Sequence, residues 1–301
     1  MNMTGNFSLD LTPSVNQYFW SDKKPWVSIY DKFFNVQTTT ERFKRFIIGS
    51  GLGIGAVKEE GAGGTYDESK EAWNIQTTQV TYSLGFKITR EAMEDGHVID
   101  QVEVCTRTCK SGMRVTEEII HAQILNFLTD SGHLGGDGVI GLSTVHPTTA
   151  GGTYSNTLAT PAVLSEASYE SALILNLNMV DERNIPIQMI GDNAIMIHPN
   201  NVYNHKRVIG GTERPATADR DINALKARGD LQYEPIINPY LTNPNTFIIR
   251  NDIEDGFVSL KRRPLELNSI NVQNTDVAEY LSTMRLTAAM VHPRGFVGSM
   301  L

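Results

Sequence analysis

Two cysteines one helical turn apart, Cys105 and Cys109, are the first residues of this chain whose type and spacing could do chemistry. Four residues apart on a helix they share a face, and two thiolates could enter the coordination sphere of a soft metal. Zinc takes four ligands, however, and His97 and His121 lie more than two turns from the nearer cysteine. Cysteine buries readily, so the pair reads as part of an apolar stripe. Gly51-Leu-Gly53-Ile-Gly-Ala56, after the apolar Phe46-Ile-Ile48, fits a Gly-x-Gly-x-x-Ala dinucleotide fingerprint. That chemistry needs a helix whose N-terminus faces the pyrophosphate. The run that follows carries Gly61, Gly63 and Gly64 and cannot hold a helix, so the segment reads as a flexible hairpin tip. Asp252, Glu254 and Asp255 lack the spacing of a calcium loop, and Asp219-Arg-Asp221 reads as a charged loop. The histidines form no His-Glu-x-x-His pair, and no Gly-x-Ser-x-Gly elbow is present. No catalytic residue, metal or cofactor is expected.

The elements that carry these residues are more telling. From Trp73 to Ile88 apolar side chains alternate with polar ones (Trp73, Ile75, Val80, Tyr82, Leu84, Phe86, Ile88), the pattern of one long strand with a covered face. Beyond Thr89 the period changes. Val98, Val102, Cys105, Cys109, Met113, Ile120, Ile124 and Phe127 trace one stripe of a helix reaching Asp130, with Glu117 on the outer face. Such a rod is about 50 Å long, far beyond the usual three turns. Ahead of it, Phe33 to Ile48 is strand-like, and Gly49 to Gly64 holds seven glycines in sixteen residues. Two strands around a core-poor tip make a long hairpin. Residues 1–30 are aromatic-rich (Tyr18, Phe19, Trp20, Trp26, Tyr30), and Pro13 and Pro25 argue against a continuous helix, so this stretch reads as an arm.

Past the rod, 131–160 reads as a loop. A helix capped by Ser165 or Ser168 carries Tyr169, Ala172, Leu173, Asn176 and Val180, and Pro186 stops it. Ala194 to His198 is a short buried strand, Asn200 to Ile209 a short helix, and 210–229 a polar loop. Strand, turn and strand follow over Ile236–Ile249, and then a strand-rich end: Phe257–Leu260, Leu265–Leu267, Val277–Met290 and Arg294–Ser299. With 301 residues and 40% hydrophobic content, the chain can bury two domains. A net charge of -8 argues against tight wrapping of nucleic acid. No apolar run approaches a membrane span, and the N-terminus lacks the features of a secretory signal.

This order of parts resembles the major capsid proteins of tailed bacteriophages, the Hong Kong ninety-seven fold. Leu84-Gly-Phe-Lys-Ile-Thr-Arg-Glu-Ala92 and Arg294-Gly-Phe-Val-Gly-Ser299 look most like the Mu-like head-subunit branch. The resemblance implies an α+β chain with an N-terminal arm (1–32) and an extended hairpin loop (33–88). A peripheral domain with the spine helix (89–135 and 245–301) and an axial domain (136–244) complete it. It also implies a hairpin that overlaps a neighbouring subunit, and a lysine such as Lys58 or Lys70 that relatives can crosslink. Many relatives begin with a helical scaffolding segment; nothing before Phe33 looks like one, so scaffolding is expected from elsewhere or already removed.

The expectation is a structural subunit that self-assembles into hexamers and pentamers of an icosahedral shell. Its contacts with other copies are assigned to Tyr18, Phe19, Trp20, Lys58, Asp67, Glu68, Lys70 and Glu71. Scaffolding, portal and decoration proteins are the other expected partners, with weak, non-specific contact to packaged double-stranded DNA and none to a membrane. The expected location is the virion, after assembly in the host bacterial cytoplasm. Two alternatives stand beside it: an encapsulin-type compartment shell of the same fold, and a soluble nucleotide-binding α/β enzyme using Gly51–Ala56.

Overall fold

The computed structural model describes residues 7–22, 25–61, 63–89, 91, 98–189, 193–211, 222–229, 231–232, 234–253, 255–272 and 277–301. His97, Glu254, Asp219–Asp221 and half of the expected 210–229 loop (212–221) lie outside the described residues.

Part of the arm is helical, and Pro13 does not prevent it: α1 spans Phe7–Trp20, runs through Pro13 and ends before Pro25. A proline inside a helix costs about 3 kcal/mol. Burial of Val15 and Phe19, both fully covered, offsets it. After a 3-10 turn at Tyr30–Lys32, β1 (Asn35–Thr38) and β2 (Phe43–Gly49) follow. The expected single strand from Trp73 to Ile88 is two strands, β3 (Glu71–Thr78) and β4 (Val80–Thr89). They part at the buried Gln79, whose N–H donates to Arg42 O. β3 closes a hairpin with β2, while β4 joins a different sheet.

The spine helix α2 runs Val98–Asn126, 29 residues. Val102, Cys109, Met113, Ala122 and Leu125 are buried along it, whereas Cys105 and Phe127 of the expected stripe are exposed. The middle unit holds β5 (His146–Pro147), β6 (Thr153–Tyr154), α3 (Glu166–Leu177), β7 (Ala194–Ile197), α4 (Val202–Gly210), α5 (Ala224–Arg228) and β8 (Ile236–Ile237). Ser165 caps α3 with a capping box to Ser168, and Tyr169, Ala172, Leu173 and Asn176 form its buried face. The return consists of β9 (Phe247–Arg250), β10 (Phe257–Val272), β11 (Val277–Met290) and β12 (Phe296–Ser299). β10 merges the two short strands expected there. Its register shifts between Lys261 and Arg263 and again before Glu266, which lets Pro264, with no N–H to give, sit inside a strand.

Two four-stranded sheets organise these parts. One has the order β1-β10-β11-β4, with β1 parallel to β10; the other is β12-β9-β7-β8. β9 and β12, drawn from the 245–301 stretch, therefore hydrogen-bond within the sheet of the middle unit. The buried Tyr30, Leu125, Met196, Ile248, Phe257 and Phe296 join both sheets, the end of α2 and the arm in one core.

Candidate subunit interface

The hairpin has two unlike faces because side chains alternate across a strand. Inward, Phe46 packs on Val258, Leu260 and Val291, so the stem is anchored to its own subunit. Trp73 is buried beside it, its ring 5.5 Å from the Arg294 guanidinium and 6.1 Å from His292. Arg294 is the hub of this region. It is 1% exposed, lies 4.1 Å over Tyr154, donates from Nε to Val180 O at 2.6 Å and pairs with the buried Glu182. Outward, Phe43 and Ile47 are exposed on either side of the Arg45–Glu71 ion pair, 3.3 Å long.

Beyond Ser50 and Lys70 the tip has no regular ladder. Asp67 holds it. Its carboxylate accepts the Gly53 N–H at 2.7 Å, the Glu68 N–H at 2.8 Å and the Arg183 guanidinium at 2.6 Å. Those amide donors, aided by Arg183, keep its pKa below the ordinary carboxylate range. Asp67 and Glu71 thus find partners within their own chain, while Lys58 stands exposed. No helix follows Gly51–Ala56, and the Gly53 amide serves a side-chain carboxylate, so the phosphate-cradle geometry is not formed. Sequence reading weighted the tip's charges and passed over its apolar residues. Leu52, Ile54, Val57 and Tyr66 are all exposed, Val57 and Tyr66 at 96%. The signal was there: large apolar residues among glycines with no core to enter.

In the arm, Phe19 is fully buried beneath Lys110, Tyr18 lies under Arg107, and Trp20 is 60% exposed. Asp22 ties this end to α2 through Lys110 at 2.9 Å and Arg114 at 3.0 Å, which lowers its pKa to about 2. The other end is pinned by Glu118, whose buried carboxylate accepts the Ile29 and Tyr30 N–H groups at 2.8 and 3.2 Å. Glu117 is not on an outer face. It accepts the Tyr30 hydroxyl at 2.9 Å and pairs with Lys261 at 3.0 Å, since residue 117 falls one turn after Met113 on the same stripe. Burial lowers His121, stacked 4.0 Å from Tyr30, to about 4. Burial also raises the Cys109 thiol, which donates to Leu84 O. Asp255 accepts the Asn35 and Gln37 amides, as a structural turn does. Among the described residues no three His, Cys, Asp or Glu side chains converge as a metal site would require.

No family model matches the chain, and no curated protein matches it in sequence. Solved structures do. A Mycobacterium phage Che8 structure is similar at 13% identity and a TM-score of 0.54, over 93% of this chain and 94% of that one. A virus-like particle from Pyrococcus furiosus matches at 10% identity and a TM-score of 0.52, over 97% and 95%. A phage-related protein from Bordetella bronchiseptica matches at 14% identity and a TM-score of 0.51, over 95% of each. With TM-scores of 0.51 to 0.54 over nearly its full length, the chain shares the fold of these structures, the Hong Kong ninety-seven fold.

Proposed function

We propose that this chain is the major capsid subunit of a tailed bacteriophage, a non-enzymatic building block that closes with its own copies into an icosahedral shell around DNA. The observation that carries this reading is the hairpin. On a fold shared with phage capsids, its outer face and tip leave Phe43, Ile47, Leu52, Ile54, Val57 and Tyr66 uncovered. Exposed apolar surface of this kind marks an interface. Trp20 on the arm, and Lys58, Glu68, Lys70 and Glu71 on the loop, rim the contact, where charges set register more than affinity. Phe19 and Tyr18 serve the subunit's own arm–helix packing. The division into arm 1–32, hairpin 33–88, peripheral and axial units belongs to the same proposal, with β1 and β4 moved by their pairing to the β10–β11 sheet, the hairpin proper confined to β2 and β3, and β9 and β12 moved to the axial sheet. Scaffolding, portal and decoration proteins, hexamers and pentamers, a virion location and assembly in the host cytoplasm belong to the same proposal. No helix among the described residues is long and apolar enough to cross a membrane.

Electron microscopy of the expressed chain tests the proposal: rings or closed shells are the expected product. A monodisperse 33.4 kDa monomer at high concentration would overturn it. Shells that retain a protein cargo and no nucleic acid would favour a cellular compartment over a phage head.

A further inference from the structure

The turn from Asp181 to Ile185 is built to aim one side chain. Asp181 accepts the Arg183 and Ile185 N–H groups, each at 2.8 Å, and Asn184 adopts a left-handed conformation with φ 63. From this turn the Arg183 guanidinium crosses to the hairpin. It meets both Asp67 carboxylate oxygens at 2.6 and 3.3 Å and the Glu68 carbonyl at 2.6 Å. Because Asp67 also accepts the Gly53 amide, one carboxylate binds both legs of the tip to each other and to the middle unit. The space is tight. A Cβ at Gly53 would lie 3.0 Å from the Asp67 carboxylate and 3.1 Å from the Arg183 guanidinium. The clasp does not bury the tip's apolar residues, which stay exposed with it closed. Its side chains are 26% and 44% exposed, so it is weak and salt-screened.

We propose that Arg183 is a catch: it closes the hairpin tip onto its own subunit and thereby fixes the direction in which Leu52, Ile54, Val57 and Tyr66 face a second copy of the chain. The capsid reading supplies the identity of the recipient; the clasp stands without it. A bidentate guanidinium–carboxylate pair fixes direction as well as distance. An apolar tip held at one angle binds with less ordering cost than a free one.

The test compares the full-length chain with Arg183→Gln and Asp67→Asn. Hydrogen exchange is followed in the peptides containing Gly53 and Glu68, whose amides Asp67 engages, in unassembled subunits at low salt. Exchange several-fold faster in both variants at unchanged thermal unfolding is expected, and raised salt should bring the parent chain to the same rate. Equal exchange in all three chains would overturn the clasp, whatever the protein assembles into. Should a single variant unfold, the parent chain decides alone: exchange at these amides that quickens as salt is raised supports the pairing, and exchange indifferent to salt sinks it. The charge-swapped chain, Asp67→Arg with Arg183→Asp, keeps the ion pair but gives the Gly53 and Glu68 amides no acceptor, so it is read by assembly and not by exchange. Assembly gives the second arm. The charge-swapped chain should close shells that an equimolar mixture of the two single-swap chains does not. A mixture that closes equally well would place the contact between copies and refute a catch within one subunit. Absence of shells from every chain, the parent included, would overturn the second-copy recipient.

Discussion

Breaking the Glu182–Arg294 pair should cost more than any surface change on this subunit. The two side chains are 4% and 1% exposed, so removing one leaves the other charge in a site water does not reach. Such uncompensated charges cost about 3–5 kcal/mol. In Arg294→Met, Glu182 would keep only the Thr149 N–H at 3.1 Å. In Glu182→Leu, Arg294 would keep its Nε bond to Val180 O and its place over Tyr154, and Nη2 already lacks a partner. The double variant removes both charges and strands only the Thr149 N–H and the Val180 carbonyl, each worth about 1 kcal/mol net. It should therefore be no less stable than either single variant, a coupling of several kcal/mol. Urea unfolding at low chain concentration would measure this. Fluorescence of Trp73, 5.5 Å from the guanidinium, and circular dichroism are the two probes. Single variants that lose less than about 1 kcal/mol, or effects that simply add in the double variant, would refute the picture of a dry, mutually dependent pair.

Glu117→Ala should lower subunit stability by about 1–2 kcal/mol, because the Tyr30 hydroxyl loses its acceptor and Lys261 its counter-charge, leaving them only each other; an unchanged urea midpoint would count against that. Ile124→Asp, against the core of Phe33, Leu125 and Phe257, should cost several kcal/mol and give insoluble protein. Soluble protein with the parent melting temperature would sink the assigned helix phase. His121 and His292 each titrate near 4 in the fold, because burial disfavours their charged forms. A depressed histidine makes the unfolded chain the better proton acceptor, so stability should fall as pH drops from 6.5 toward 4. The loss is up to roughly 3 kcal/mol per histidine. Glu118, raised by burial, opposes part of that loss at the acid end. A urea midpoint that stays flat between pH 7 and 5 would contradict the two buried neutral imidazoles.

Elements whose neighbours share their period were legible in the sequence. β11 begins and ends where the alternation of Val277–Met290 does, and α3 begins at the serine that caps it. The break at Gln79 was also written there. Buried or half-buried positions move from odd numbers (Trp73, Ile75, Thr77) to even ones (Tyr82, Phe86, Ile88), a slip that one continuous strand cannot accommodate. Pro13 misled because propensity is local, whereas Val15 and Phe19 answer to Val102 and Lys110 far along the chain. Glu117 misled by its type: a carboxylate at a stripe position is covered once Tyr30 and Lys261 arrive to pair with it. The clasp was invisible for the same reason, since nothing local to Asp67 announces an arginine 116 residues away. The closing Arg294–Ser299 run became intelligible only when folded. Gly295 lies so close to Gly256 that a Cβ would meet its Cα at 2.5 Å, and Ser299 Oγ accepts from and donates to Ala162.

The hairpin's floor is made long after the hairpin itself. β2 and β3 can pair as soon as residue 78 leaves the ribosome, but Phe46 rests on Val258, Leu260 and Val291. β1 likewise waits for β10, and Asn35 for Asp255, 220 residues away. At roughly 5–20 residues per second, translation leaves Phe46 and Trp73 unhoused for on the order of 10–40 s. Neighbouring nascent chains on one message would present the same surface at the same time. The yield of folded subunit is then set by a race between chain completion and mutual adhesion of polysome neighbours. Slower translation or depleted chaperones should tip that race toward aggregates without altering a single contact in the finished fold.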